Sequence, residues 1–147
     1  MAQTISYEMT QSNSQFRLFV SHRHKDNEKV RQLVRDLENS GAWVWVDLQE
    51  IKWESFAKHV NEGLAQSNWC IVVLSPAALQ SQYVVDEVNA AYQLVKENRM
   101  EAVIPFVTEH CDARDIPPVW NIWHRYDAVK EGYTEAFQAL SSAIGLI

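Results

Sequence analysis

Short apolar runs alternate along this chain with longer segments in which apolar residues recur at helical spacing. The short runs read as β-strands, and they comprise Phe16–Val20, Trp43–Val46, Trp69–Leu74, Ala102–Val107 and Ile122–Tyr126. Because strands that alternate with helices are joined by right-handed crossovers, the pattern predicts a parallel sheet. The expected fold class is therefore α/β, a five-stranded parallel sheet with helices on both faces.

Four segments carry apolar residues three or four positions apart, which places those residues on one face of a helix. They are Val30, Leu33, Val34 and Leu37; Phe56, Val60 and Leu64; Val84, Val88, Ala91 and Val95; and Phe137, Leu140 and Ile144. Asp26 stands where it can cap the first helix, and Gly41 stands where it can end that helix. Pro105 predicts a position near the end of its strand or the edge of the sheet. Residues 108–119 are predicted to form a loop.

The length of 147 residues suits one domain with its own hydrophobic core. We expect residues 1–14 to form a flexible tail and residues 15–147 to form the domain. The polar N-terminus lacks the basic start and apolar stretch of a secretory signal, and no apolar run approaches the ~20 residues needed to cross a bilayer. Two cysteines are too few for a disulfide framework. Together these features favour a cytoplasmic domain that does not associate with a membrane.

The net charge of -6 argues against nucleic acid as a partner, because neutralising phosphates requires a basic face. One short basic cluster, His22–Lys25, is a candidate for binding a single anionic group. The chain has no glycine-rich phosphate-binding motif, no G-x-S-x-G elbow and no histidine or cysteine spacing typical of a metal site. In parallel α/β sheets, ligands bind in the loops that follow the strands, which here are 21–25, 47–54, 75–83 and 108–119.

Four ordered segments resemble the boxes of Toll/interleukin-receptor (TIR) domains. The first box is similar to Phe19–Asp26, and the second box is similar to Trp45–Asp47. A later family segment that reads S-x-x-x-[IV]-x-V-L-S is similar to Ala65–Ser67 together with Ile71–Pro76. A further segment that reads S-x-W-x-x-x-E is similar to Ser81–Glu87. The resemblance covers about residues 14–147. It departs from the family pattern in two places: the loop over 51–55 lacks a glycine, and Tyr83 replaces tryptophan. The resemblance implies a flavodoxin-like TIR fold of the bacterial NAD-cleaving type.

In such domains a helix-borne glutamate, which Glu87 matches, serves the cleavage of the bond between nicotinamide and ribose. Ordinary glycosidases need a second carboxyl group to protonate the leaving group. The nicotinamide of NAD is already a cation and leaves as a neutral molecule, so one carboxylate that stabilises the oxocarbenium-like state can suffice. The alternative interpretation of Glu87, from spacing alone, is a carboxylate that favours the positive end of the helix dipole.

The resemblance also implies a set of substrate-binding residues, namely Ser21, His22, Arg23, Trp53, Phe56 and Tyr83. His22 and Arg23 follow the first strand, where a diphosphate could lie, although a solvated charged loop would have the same composition. Tyr83 precedes Glu87 by four residues and could stack on nicotinamide or adenine. Phe56 suits either a pocket wall or the inner face of its helix. NAD is the expected substrate, and no cofactor or metal is implied.

By the same resemblance, such domains act when they self-associate, and head-to-tail contacts can produce filaments. An upstream sensor and a role in bacterial immunity, with NAD loss as the output, then follow as expectations. The alternative is a non-catalytic adaptor that signals only through contacts between TIR domains. Glu87 with an aromatic residue at position 83 favours the enzyme, and the loop over 51–55 lacks the proline often found in animal receptors.

Overall fold

The computed structural model describes residues 15–48 and 53–146, with side chains described for 15–48 and 58–146. Its single sheet contains β1 (Arg17–Ser21), β2 (Trp43–Val46), β3 (Trp69–Leu74), β4 (Ala102–Val107) and β5 (Tyr126–Asp127). All neighbouring strands are parallel, and their order across the sheet is β2-β1-β3-β4-β5. This order is that of flavodoxin-like folds, so the predicted fold class is confirmed. The tail expected over residues 1–14 lies outside the described residues.

Within the described residues, six α-helices connect or follow the strands. They are α1 (Asn27–Asn39), α2 (Trp53–Gln66), α3 (Pro76–Leu79), α4 (Gln82–Lys96), α5 (Ala128–Glu131) and α6 (Tyr133–Ile144). Gly41 follows α1 with a φ of 104°, a left-handed conformation that glycine adopts without strain, and it ends the helix as predicted. No helix in the described ranges is both long and apolar enough to span a membrane.

The two faces of the sheet bury two separate hydrophobic clusters. Alternate residues of each strand face opposite sides, so Leu18 and Val20 pack with α1 and α6, while Phe19 packs with α2, α3 and α4. The four residues predicted for the inner face of α1 are all buried. The helical periods of the sequence therefore identified the core-facing sides correctly, with Val95 and Phe137 half-buried at the margins.

The boundaries predicted for the fifth strand, Ile122–Tyr126, are wrong, because the strand comprises only Tyr126 and Asp127. The chain forms a 3-10 helix over Pro118–Ile122 that buries Trp120, and only Tyr126 and Asp127 pair with β4. The predicted loop over 108–119 likewise contains a 3-10 turn at Ala113–Asp115. Apolar residues in this region are used to anchor a turn, which periodicity cannot distinguish from a short strand.

Asp26 precedes α1 as predicted, but its side chain does not cap the helix. It is buried and accepts a hydrogen bond of 2.5 Å from the hydroxyl of Ser75, the residue that follows β3. The Ser75 hydroxyl also accepts a hydrogen bond from the backbone of Ala78 and so caps α3. This contact ties the loop after β1 to the loop after β3. Both loops contribute residues to the lining of the cavity described next.

Candidate active site

A cavity of about 740 Å³ opens at the carboxyl ends of β1 and β2, a volume within the range of small-molecule sites. It lies beside the junction of β1 and β3, where the strand order of the sheet reverses. Ligands of open α/β sheets bind at this kind of junction. Its lining comprises Phe19, Val20, His22, Arg23, His24, Lys25, Trp45, Asp47, His59, Gln80, Ser81, Gln82, Tyr83 and Glu87.

Glu87 lies on the inner face of α4, in the same stripe as Val84, Val88 and Ala91. Only 8% of the residue is exposed, and that part lines the cavity. It is the sixth residue of the helix, beyond the first turn in which the helix dipole favours a negative charge. A carboxyl group at a core-facing position is uncommon, because charged groups are rarely buried without a partner. The burial therefore weighs against the dipole interpretation of Glu87.

The hydroxyl of Ser21, at the end of β1, donates a hydrogen bond of 2.5 Å to Oε1 of Glu87. Ser21 is completely buried and is not among the residues that line the cavity. Its place is thus behind Glu87, where it orients the carboxyl group through a contact between residues 66 positions apart.

Burial raises the pKa of Glu87 to about 8, and the nearby carboxylates of Asp47 and Asp86 act in the same direction. The hydrogen bond from Ser21 opposes this change because it favours the charged form. In the described part of the chain, no Lys, Arg or His side chain forms an ion pair with Glu87. At neutral pH this pKa keeps Glu87 mostly in its protonated form.

The basic segment His22–Lys25 forms the wall that follows β1. His22 Nε2 lies 2.7 Å from Oδ1 of Asn27, whose amide nitrogen donates to the carbonyl oxygen of Leu48. This chain of contacts links the loop after β1 to the loop after β2. Burial lowers the pKa of His22, so its imidazole is neutral near pH 7, while Arg23 and Lys25 contribute positive charge to this wall.

Gln82 and Tyr83 lie at the start of α4 and line the same cavity. Tyr83 is half exposed. The structure thus brings Glu87, His22, Arg23 and Tyr83 around one cavity. The side chains of Trp53 and Phe56 lie outside the described residues, and their predicted contacts stay predictions.

Sequence reasoning missed one wall of the cavity, which Trp45 and His59 form with ring centroids 4.7 Å apart. Burial lowers the pKa of His59, which keeps this wall uncharged. The contact requires α2 to approach β2 closely at Gly63, where a Cβ atom would come within 2.7 Å of Cγ of Trp45. A glycine inside a helical pattern was the one sequence signal for this approach.

We expect Gly63→Ala to destabilise the domain by about 1–3 kcal/mol, because the added methyl group forces Trp45 or α2 to move. A change from glycine to alanine inside a helix usually increases stability, because alanine has the higher helix propensity, so the expected effect here has the opposite sign. Chemical denaturation measures it, and Asn61→Ala on the exposed face of the same helix is the control. A Gly63→Ala protein as stable as Asn61→Ala would show that the approach of α2 to β2 is not as close as described.

No group of three or more His, Cys, Asp or Glu side chains in the described part of the chain is arranged to hold a metal ion. The polar groups of the cavity are instead the carboxyl groups of Glu87 and Asp47, two exposed cations, Arg23 and Lys25, and several hydroxyl, amide and imidazole groups. Such a set can bind an anionic diphosphate at one end and stabilise a developing positive charge at the other.

Comparison with protein families gives a match to the family model described as TIR domain, over residues 18–141. Two curated relatives are similar over part of the chain. The 2' cyclic ADP-D-ribose synthase BtTIR of Bacteroides thetaiotaomicron is 32% identical over 84 residues, 56% of this chain and 29% of the relative. The NAD(+) hydrolase TcpC of Escherichia coli O6:H1 is 26% identical over 96 residues, 64% of this chain and 31% of the relative. The aligned parts thus span less than a third of each relative.

Solved structures show the same fold. The TIR domain of the Toll-related receptor TRR-2 from Hydra magnipapillata aligns with a TM-score of 0.71 and 20% identity, covering 88% of this chain and 98% of that one. The TIR domains of the activated Roq1 resistosome align with a TM-score of 0.70 and 17% identity, covering 88% of this chain and 99% of that one. At these identities the likeness establishes the architecture alone.

Proposed function

The chain belongs to the TIR domain family, and we propose that it cleaves NAD at the bond between nicotinamide and ribose. The observation that carries this proposal is the Glu87 carboxyl group, buried at the inner wall of a cavity large enough for part of a dinucleotide. The names of two curated relatives, a cyclic ADP-ribose synthase and an NAD hydrolase, support it. The product is ADP-ribose or a cyclic form of it.

The proposed reaction needs one carboxylate. The bond between C1′ of the ribose and the pyridinium nitrogen breaks, and its electron pair goes to the nitrogen, which leaves as neutral nicotinamide. The deprotonated Glu87 stabilises the positive charge that develops on C1′ and orients the ribose hydroxyls. Water then attacks C1′ and releases a proton to give ADP-ribose, or a nucleophile of the same molecule attacks to give a cyclic product. Glu87 is thereby a catalytic residue, and Ser21 is a positioning residue that holds it.

The other cavity residues have proposed roles in binding. Arg23 can pair with the diphosphate through two parallel hydrogen bonds, and Lys25 adds charge to the same wall. His22 is neutral and offers a hydrogen bond to a phosphate or a ribose hydroxyl. Trp53 and Phe56, on α2 or at its start, are proposed as further walls of the site.

We expect Tyr83→Ala to raise the KM for NAD roughly 10- to 100-fold with a smaller effect on kcat, because stacking on a base contributes about 1–3 kcal/mol. Tyr83→Phe keeps the ring and is the matched control, so its KM should stay near that of the wild type. Steady-state kinetics on both variants measures the split between KM and kcat. Equal KM values for Tyr83→Ala and Tyr83→Phe would remove the stacking role.

We also propose that the domain self-associates, with head-to-tail contacts that can extend into filaments, and that an upstream sensor triggers this assembly. Loss of NAD would be the output in a bacterial immune or cell-death system. The cytoplasmic setting expected from the sequence stays a prediction. The second candidate function is a non-catalytic adaptor, which the fold shared with a receptor TIR domain and with the resistosome TIR domains would suit. An adaptor, however, has no use for a buried carboxyl group that lowers the stability of the fold at neutral pH.

Chromatography of the products distinguishes the two functions. Concentrated protein with a crowding agent is incubated with NAD over a series of protein concentrations. The enzyme is expected to release nicotinamide at a rate that rises more steeply than linearly with concentration, since the site depends on assembly. If the assembled protein releases no more nicotinamide than buffer at any concentration, the enzyme proposal fails and the adaptor remains.

A further inference from the structure

The Glu87 carboxyl group lacks a positive partner within the described chain. The groups that interact with it are Ser21, through a hydrogen bond from the end of β1, and, electrostatically, Asp47 after β2, Cys70 on β3 and Asp86 on its own helix. One is a neutral donor, one is a buried thiol and two are carboxylates. Arg23 and Lys25, the cations that line the cavity, form no ion pair with Glu87.

A buried carboxylate without a compensating charge is costly, so the group keeps its proton instead. The pKa of about 8 expresses this cost. The site thus lacks one positive charge that the described chain does not supply. A ligand that brings a positive charge close to Glu87 would restore the balance and would favour the carboxylate.

We propose that Glu87 selects for a ligand whose ring is positively charged, and that it gives up its proton when such a ligand binds. This inference rests on the proposed function, because the nicotinamide ring of NAD carries that charge. In the proposed step the O–H bond of the carboxyl group breaks, the proton passes to the solvent, and the carboxylate remains beside the ring cation. The site therefore distinguishes NAD from NADH, whose dihydronicotinamide ring is neutral.

At neutral pH the same step would convert Glu87 to its active carboxylate form when the ligand binds. Free protein holds Glu87 protonated, and the cationic substrate itself creates the base form that stabilises the transition state. His22, His24 and His59 also line the cavity, and a bound diphosphate would favour proton uptake by these histidines. NAD and NADH carry the same diphosphate, so this uptake cancels when the two ligands are compared.

Isothermal titration calorimetry in two buffers of different ionisation enthalpy counts the protons released on binding. The probes are NADH and carbocyclic NAD, which keeps the cationic ring but has a methylene group in place of the ribose ring oxygen and is not cleaved. At pH 7 we expect carbocyclic NAD to release close to one proton more than NADH, and its affinity to rise up to tenfold per pH unit below pH 8. In Glu87→Gln, the two ligands should release equal numbers of protons.

A second variant, Asp86→Asn, removes one exposed negative charge. Because Asp86 does not line the cavity, this change leaves the lining intact. Removing that charge should lower the pH at which half of the extra proton is released. Equal proton counts for the two ligands in the wild type would overturn the inference, as would a difference that persists in Glu87→Gln or an absence of binding. The two proposals can fail separately. If nicotinamide is released but the two ligands show no proton difference, the domain is an enzyme and this inference is wrong. If the proton difference is found without nicotinamide release, the cavity is a cation-selective binding site and the proposed enzyme activity is wrong.

Discussion

Glu87→Gln should lower the rate of nicotinamide release by about 100- to 1000-fold, the loss typical of removing one group that stabilises charge in a transition state. Glutamine has the shape of the protonated carboxyl group and still accepts the hydrogen bond from Ser21, so the cavity should keep its form. The amide cannot become negative, and the developing charge on C1′ loses its partner. Single-turnover chromatography on assembled protein measures this effect.

The control for this substitution is Asp86→Asn, which removes a carboxylate from the adjacent, exposed position of the same helix. Its rate should stay within about threefold of the wild type above pH 8, where Glu87 is already ionised. If Glu87→Gln keeps more than a tenth of the wild-type rate while it assembles normally, Glu87 does not carry the chemistry.

The same Glu87→Gln protein should be more stable than the wild type at neutral pH. Between pH 4.5 and 8 the unfolded chain releases the Glu87 proton while the folded chain retains it, so unfolding becomes easier as pH rises through this window. The contribution of this group to the free energy of unfolding is fully present below pH 4.5, and it is lost progressively as pH rises to about 8. The difference at pH 7 is on the order of 3 kcal/mol in favour of glutamine.

Thermal and chemical unfolding of both proteins over pH 4–9 measure this difference in the free energy of unfolding. It should vanish near pH 4.5, grow with pH and level off above 8. A difference that does not change with pH would show that Glu87 is not held protonated by the fold. A gain in stability joined to a loss of activity is the pattern of a residue kept for function at the expense of the fold.

Much of the fold followed from local patterns because they were long and consistent. The continuous apolar run Trp69–Leu74 became the central strand β3, and the stripe over α1 became a buried face. The fifth strand is shorter and begins later than predicted because Pro118–Ile122 form a 3-10 helix that buries Trp120. Asp26 failed as a cap because Ser75, 49 positions away, takes its carboxylate. Only the assembled sheet determines such distant pairings.

In the candidate site, too, some features could be predicted from local sequence patterns and others depend on the assembled fold. Glu87 shares the helical period of Val84, Val88 and Ala91, so its burial could be read from the sequence, whereas its chemical role came from resemblance to a family. The hydrogen bond from Ser21 depends on how α4 lies against β1, which no local pattern reports. The wall made by Trp45 and His59 depends on how closely α2 approaches β2. The sequence therefore predicted which residues line the cavity better than it predicted the contacts between them.

The pH dependence of kcat/KM for nicotinamide release tests the central claim most directly, because this quantity reports the ionisation of the free enzyme. The protein must be held at a concentration where assembly is complete at every pH. If the buried Glu87 carboxyl group performs the cleavage, kcat/KM rises about tenfold per pH unit below pH 8 and is level above it. A value of kcat/KM that does not change between pH 6 and pH 9 would contradict this account.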